Sequence, residues 1–248
     1  MSLLVLQAHT ITQRKSLKLK GTKTSVTKNQ ILVSSGIISL DAVLDGGIPL
    51  GTIIFVEEEG HGRNADLILK HFIAEGVACD HSVLLASIEL SPEQIMKDLP
   101  KPVQEDSDYK FDANEDLKIA WRYKQNPIID SKPYQTSSSF GHIFDMSIKV
   151  PIDELENIKC WPNKNSSQNS YSALLEHINE IITKGGFSIK IPVEKRNILR
   201  ITINHLCSPL WDTTDMDVIT FVYKLRMLLR SSYATCLITT KIQIIDND

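Results

Sequence analysis

The chain has four cysteines, Cys79, Cys160, Cys207 and Cys236, and no two of them form a C-x-x-C pair. This scatter excludes a disulfide scaffold and a thiolate metal site, and it fits reduced intracellular thiols. Apolar runs such as 53–56 and 83–86 are short, whereas crossing a bilayer takes roughly 20 residues, so no transmembrane helix is expected. Charge of one sign is also lacking. With 27 bases against 30 acids the net charge is -3, and no whole-molecule basic field draws in nucleic acid. Any RNA contact must therefore be local. The seven histidines form no H-E-x-x-H and no paired Cys/His spacing, so neither a metal nor a cofactor is called for. Ser208 lies near His205 but lacks a G-x-S-x-G elbow, which argues against a hydrolase triad.

The chain is long enough, at 248 residues with 42% apolar positions, to build one large core over 31–248. Residues 1–30 differ from the rest. They hold Arg14, Lys15, Lys18, Lys20, Lys23 and Lys28 with no acid, and read as a flexible basic arm. Three roles stand open for it: a solvated tail, an electrostatic arm for RNA or an acidic partner, and a mitochondrial transit segment.

Beyond the arm, 36–47 reads as a short helix with Ser39 as N-cap and the paired glycines as its stop. Thr52–Val56 has the almost wholly apolar pattern of a strand covered on both faces, ended by Glu57 to Glu59. Ala65, Ile68, Leu69, Phe72 and Ile73 form a helical stripe that ends at Gly76. Ser82–Ile88 is the next strand, and Ser91-Pro92-Glu93-Gln94 opens another helix with a capping box. The acidic, proline-containing stretch 100–116 reads as a loop. Strands are expected at 118–123 and 142–145, a helix from Leu174 to Ile182 closed by Gly185-Gly186, a strand at Ile198–Ile203, a helix at Val218–Leu229 and a strand at Ala234–Thr240. This alternation predicts an α/β fold with a mainly parallel sheet flanked by helices.

A buried strand followed by a glycine turn and a helix is the frame of a P-loop, in which backbone N–H groups and the helix dipole face phosphate. A working loop also carries G-x-x-x-x-G-K-[ST]. Here the stretch is Glu57, Glu58, Glu59, Gly60, His61, Gly62, Arg63 and Asn64, without the lysine or the hydroxyl. Like charges about 4 Å apart oppose each other by roughly 4 kcal/mol at an effective dielectric near 20, so three carboxylates there would repel phosphate. Two readings follow: a plain solvated turn, or a divergent nucleotide pocket. The acid that positions magnesium from a later strand is missing too, since Ile198–Ile203 leads into Asn204-His205. Glu89, just beyond the strand at 82–88, reads as a cap or solvated strand end, with polarising a water as its other role, though one acid without the lysine and magnesium ligands does not run phosphoryl transfer.

Several ordered motifs resemble the PAXNEB family. They are Gly46-Gly-Ile-Pro-Leu-Gly51, the pseudo-loop after Val56, His81 to Ala86, Leu117-Lys-Ile-Ala-Trp-Arg-Tyr123, Phe140 to Asp145, Leu206-Cys-Ser-Pro-Leu-Trp211 and Leu225-Arg-Met-Leu-Leu-Arg-Ser-Ser-Tyr-Ala234. The resemblance runs from about 31 to 240. It implies a RecA-like fold with a degenerate P-loop, and a fourth subunit of the Elongator complex that forms a hexameric ring with the fifth and sixth subunits, its RecA-like paralogues. The family ring binds tRNA and supports wobble-uridine (carbonylmethyl-uridine) modification, with the core Elongator subunits doing the chemistry in the cytoplasm and nucleus. A noncatalytic role is thus expected, with a RecA-type ATPase using an unconventional site as the alternative. Family members continue past the last strand seen here, so the domain reads as truncated at its C-terminal end.

The remaining candidates are local cations. Lys184, Lys190, Lys195 and Arg196 flank Gly185-Gly186 ahead of the Ile198 strand, and form the first RNA candidate, with solvated surface as the other reading. Arg226 and Arg230 lie four apart on one helix face. They suit phosphate contact, and they equally suit the helix's C-terminal dipole. Trp121 and Tyr123 alternate in a strand, and read as core or as stacking platforms.

Overall fold

The computed structural model describes residues 19–25, 30–58, 64–103, 140–162, 169–190 and 196–241. In chain order the first elements are β1 (Thr22–Ser25), β2 (Gln30–Val33), α1 (Ile38–Val43), β3 (Ile48–Pro49), β4 (Ile53–Glu58), α2 (Asn64–Ala78), β5 (Ser82–Ser87), α3 (Pro92–Lys97) and β6 (Pro100–Pro102). There follow β7 (Phe144–Lys149), β8 (Ile158–Trp161), α4 (Tyr171–Lys184), β9 (Leu199–Asn204), α5 (Val218–Arg230) and β10 (Ala234–Lys241). Five strands make one parallel sheet in the order β4-β10-β9-β5-β8, flanked by helices in the RecA-like α/β arrangement.

Period-two alternation divides the core between the two faces of this sheet. Leu84 and Ala86 of β5, Ile201 and Ile203 of β9, and Cys236 and Ile238 of β10 pack with Tyr171, Leu174 and Ile178 of α4 and with Phe221, Leu225 and Leu229 of α5. On the other face Val83, Leu85 and Leu237 meet Leu69, Phe72 and Ile73 of α2 and Ile95 of α3. Each such side chain contributes about 1.5–3 kcal/mol when taken out of water. β4 and β5 are consecutive in the parallel sheet's chain order, yet β10 and β9 lie between them. Their carboxyl ends therefore lie on the edge of the sheet at which open α/β folds place their ligand sites.

Several expectations need correction. Within the basic arm, Leu19 is buried and β1 pairs antiparallel with β2, because Lys20 forms an ion pair with Asp80 and its carbonyl contacts His81. Ser39 lies inside α1. The residue before that helix is Ile37, without a side-chain cap, and Ser35 Oγ accepts from the Ile37 N–H instead. β4 is an edge strand whose faces are only partly covered, Phe55 being 47% exposed, and it extends through Glu58 because Thr240 and Lys241 of β10 stand opposite Glu57 and Glu58. Gly76 does not stop α2; the helix continues to Ala78. A Cβ at Gly76 would sit 2.8 Å from Arg200 Cδ and 2.9 Å from Val83 Cγ2, so glycine there permits close helix–sheet approach.

Ser91 is the N-cap of α3 with Pro92 next, but no side-chain cap bond forms; the capping box with Gln94 is not made. The start of the expected loop at 100–116 is strand β6, and the expected strand at 142–145 lies later, as β7, paired antiparallel to β6 outside the main sheet. Sequence periodicity missed β8, which pairs parallel with β5, because a four-residue edge strand carries too few positions to show a period. The strand expected at 118–123, with Trp121 and Tyr123, lies outside the described residues.

Candidate functional site

Three strands deliver polar residues to the carboxyl edge of the sheet. β4 ends in Glu58, β5 leads through Ser87 to Glu89, and β9 ends in Asn204 followed by His205. His205 is buried and takes a left-handed backbone, φ 50°, which is costly for a non-glycine residue. Three contacts hold it there. Its N–H donates to Thr239 Oγ1 at 2.9 Å, its carbonyl accepts from Trp211 Nε1 at 3.0 Å, and Nδ1 lies 2.7 Å from Glu89 Oε2. Trp211 is stacked between Trp161 (5.4 Å) and Tyr171 (5.0 Å), so an aromatic wall braces the turn. His205 Nε2 is buried without a hydrogen bond, 3.9 Å from Glu58 Oε2.

Glu89 is not a solvated strand end. It also accepts from Lys241 Nζ at 2.9 Å. Partial burial pushes its carboxyl up, but hydrogen bonds from Lys241 and Ser208 and the charge of His205 outweigh this and bring it down to about 2. Asn204 is committed as well: its Oδ1 accepts from Thr239 Oγ1 at 2.8 Å and its Nδ2 faces Ser87 Oγ at 3.4 Å. At the carboxyl ends of these strands Glu89, His205, Asn204 and Lys241 form one polar network, with Glu58 3.9 Å from the unpartnered His205 Nε2. Of the phosphate-loop stretch, Glu59, Gly60, His61, Gly62 and Arg63 lie outside the described residues, and Asn64 opens α2.

A second polar cluster is buried between α2 and β9, on the opposite face from α4 and α5. Arg200 is fully buried. It donates from Nε to His81 Nδ1 at 3.0 Å and from Nη1 to the carbonyls of Ser34 at 2.8 Å and Phe72 at 3.2 Å, and it stacks 4.7 Å over the Phe72 ring. Burial and the adjacent guanidinium drive His81 down to about 4, so the neutral ring accepts from Arg200 and donates from Nε2 to the Lys20 carbonyl at 2.8 Å. Glu75, also buried, accepts from His142 N–H at 3.0 Å, faces its Nδ1 at 3.1 Å, and accepts from Cys79 Sγ at 3.3 Å. Glu75, Cys79 and His142 bring potential ligand atoms within 4.8 Å of one another, a grouping that sequence spacing did not reveal. Burial and the Glu75 charge push the Cys79 thiol up to about 12, so in this setting it serves as a hydrogen-bond donor.

Residues 15–248 match the family model described as PAXNEB protein. The chain belongs to the PAXNEB family. Among similar proteins, Elongator complex protein 4 of Homo sapiens is 36% identical over 266 aligned positions, covering 93% of this chain and 62% of that protein. The namesakes of Mus musculus and Danio rerio are 35% and 34% identical, covering 93% and 95% of this chain and 62% and 67% of those proteins. The chain thus spans about three fifths of the length of the first two of these relatives.

In this PAXNEB chain the fold gathers most of the cations considered for RNA at one place. Ile189 N–H donates to the Ser231 carbonyl and Ser188 bridges Ser232, which brings Lys190 to the C-terminal end of α5, beside Arg230. Arg196 is tied down, donating to the Ser188 carbonyl at 3.2 Å and stacking 4.7 Å over the Tyr233 ring. Lys195 lies outside the described residues. Arg226 and Arg230 are exposed. Lys184, also near the glycine pair, is paired with Glu180. Sequence reasoning missed Lys241, whose place at the strand end follows only from the pairing of β10 with β4. Among the described residues no helix is long and apolar enough to cross a membrane.

Proposed function

We propose that this chain is a noncatalytic subunit of an Elongator complex. It assembles with the fifth and sixth subunits, two RecA-like paralogues, into a hexameric accessory ring that binds tRNA and supports carbonylmethyl modification of wobble uridine in the cytoplasm and nucleus. The observation that carries this reading is the similarity to Elongator complex protein 4 over more than nine tenths of the chain. The His205–Glu89–Lys241 network supports the noncatalytic part, because it commits the Glu89 carboxylate to internal contacts. Lys190 and Arg230, solvent-facing at one end of α5, supply the local positive charge that a near-neutral molecule needs to reach phosphate. The test is complementation: in cells of its own species lacking the subunit, this chain should restore carbonylmethyl-uridine in digested tRNA, read by mass spectrometry. Unrestored uridine with the chain present at normal abundance would refute the reading.

A RecA-type ATPase with an unconventional site is the second reading, favoured by the buried, unpartnered His205 Nε2 beside Glu58 at the carboxyl edge of the sheet. Calorimetric titration with magnesium and ATP separates the two, because the noncatalytic reading expects no heat of binding from the isolated chain.

A further inference from the structure

α5 buries one side, Phe221, Leu225 and Leu229, and shows solvent the other. On the exposed side Ile219, Tyr223 and Met227 are 82%, 65% and 53% exposed. Spacing of four makes them consecutive along one helical ridge, about 12 Å from end to end at 1.5 Å per residue. Scattered apolar residues on a surface are ordinary, but a contiguous stripe is not. Lys224, Arg226 and Arg230 border it and are exposed, Val218–Arg230 contains no carboxylate, and among the described residues none of these cations forms an ion pair. The stripe continues past the helix at Ile189, 49% exposed and hydrogen-bonded to Ser231.

We propose that the outer face of α5 is a protein-docking surface whose occupant sets carboxylates around an apolar centre. The choice of probe below rests on the ring reading. Tyr, Met and Arg are the residues that interface cores concentrate. An RNA phosphate would engage Arg226 and Arg230 but leave Ile219 and Met227 in water, whereas an apolar protein surface covers both and its acidic rim answers three uncompensated cations. The complementarity is one-sided in sign, so a second basic face cannot serve. The stripe forms the centre of a contact and not all of it, since a stable interface covers roughly 800 Å² per partner.

The test uses the full chain co-expressed with the two paralogous RecA-like Elongator subunits. Hydroxyl-radical oxidation of Met227, read as sulfoxide by mass spectrometry, should fall roughly fivefold or more on assembly. Ile219→Ser with Tyr223→Ser, and separately Arg226→Glu, should each reduce assembly roughly tenfold or more. These side chains are exposed, so thermal unfolding of the isolated variants should match that of the parent. Wild-type assembly with Met227 still oxidised at the free rate, and with the variants assembling equally well, overturns the docking surface and leaves the ring reading standing. Protection of Met227 by tRNA without the paralogues also overturns it, in favour of RNA. Failure of the wild type to assemble defeats the ring reading together with this choice of partner.

Discussion

Arg200 stands between Leu199 and Ile201 in β9, a fully buried charge packed against Phe72. Burial disfavours its charge, the field of Glu75 offsets part of this, and two carbonyls and His81 accept its protons, with Nη2 left unpartnered. Arg200→Ala removes the donor from His81 Nδ1 and leaves a large cavity between α2 and β9, and is expected to destabilise the fold by about 3–5 kcal/mol, measured by urea denaturation. The same cluster sets a pH dependence. His142 is raised above its ordinary 6.5, chiefly by the hydrogen bond to Glu75 and against burial. Its contribution is complete below that value and is lost as pH rises through the folded-state value. Urea midpoints should thus fall from weakly acid toward alkaline pH, and His142→Asn should flatten that slope; an unchanged slope would contradict the assignment. Glu89 runs the other way. Held at about 2, it stabilises above its ordinary 4.5 and ceases to do so as pH falls toward 2, so Glu89→Gln should cost about 1–2 kcal/mol at neutral pH and nothing at pH 2. Neither cluster was legible in the sequence, because the contacts that join their elements, such as His142 to Glu75, Arg200 to His81 and Arg200 to Ser34, span 67, 119 and 166 residues. An arginine between Leu199 and Ile201 was the one local sign.

Helices α2, α4 and α5 and strands β5, β9 and β10 follow from apolar periodicity, since each buries a face wide enough to leave a stripe or an unbroken run. The missed or misread elements are short or lie at an edge. β4 has the run of a covered strand, yet its neighbour on one side only is β10, and periodicity does not distinguish one partner from two. β1 was hidden in a polar, basic stretch whose order depends on Lys20 reaching Asp80 and His81. Close packing explains why α2 ignores its glycine. Gly76→Ala should destabilise by about 1–3 kcal/mol through overpacking against Arg200 and Val83, despite the better helix propensity of alanine, and thermal unfolding checks it. A stabilised variant would show that the helix can move away from the sheet.

Across the molecule, similar numbers of acids and bases leave recognition to local surfaces, and the fold separates them. The carboxyl edge of the sheet carries the acid–histidine–lysine network, one end of α5 carries the solvent-facing cations, and the ridge of α5 carries an apolar stripe. The frame of a P-loop protein was visible in the order of strand, glycine turn and helix, and so was the missing lysine. The polar network at the carboxyl edge was not, because it is assembled from β4, β5, β9 and β10 at once. The central claim is that this chain is a structural member of a RecA-like ring, and native mass spectrometry of the chain co-expressed with its two paralogous subunits tests it most directly. The account predicts a hexamer with two copies of each subunit; a hexamer of the paralogues alone, with this chain left monomeric, would contradict it.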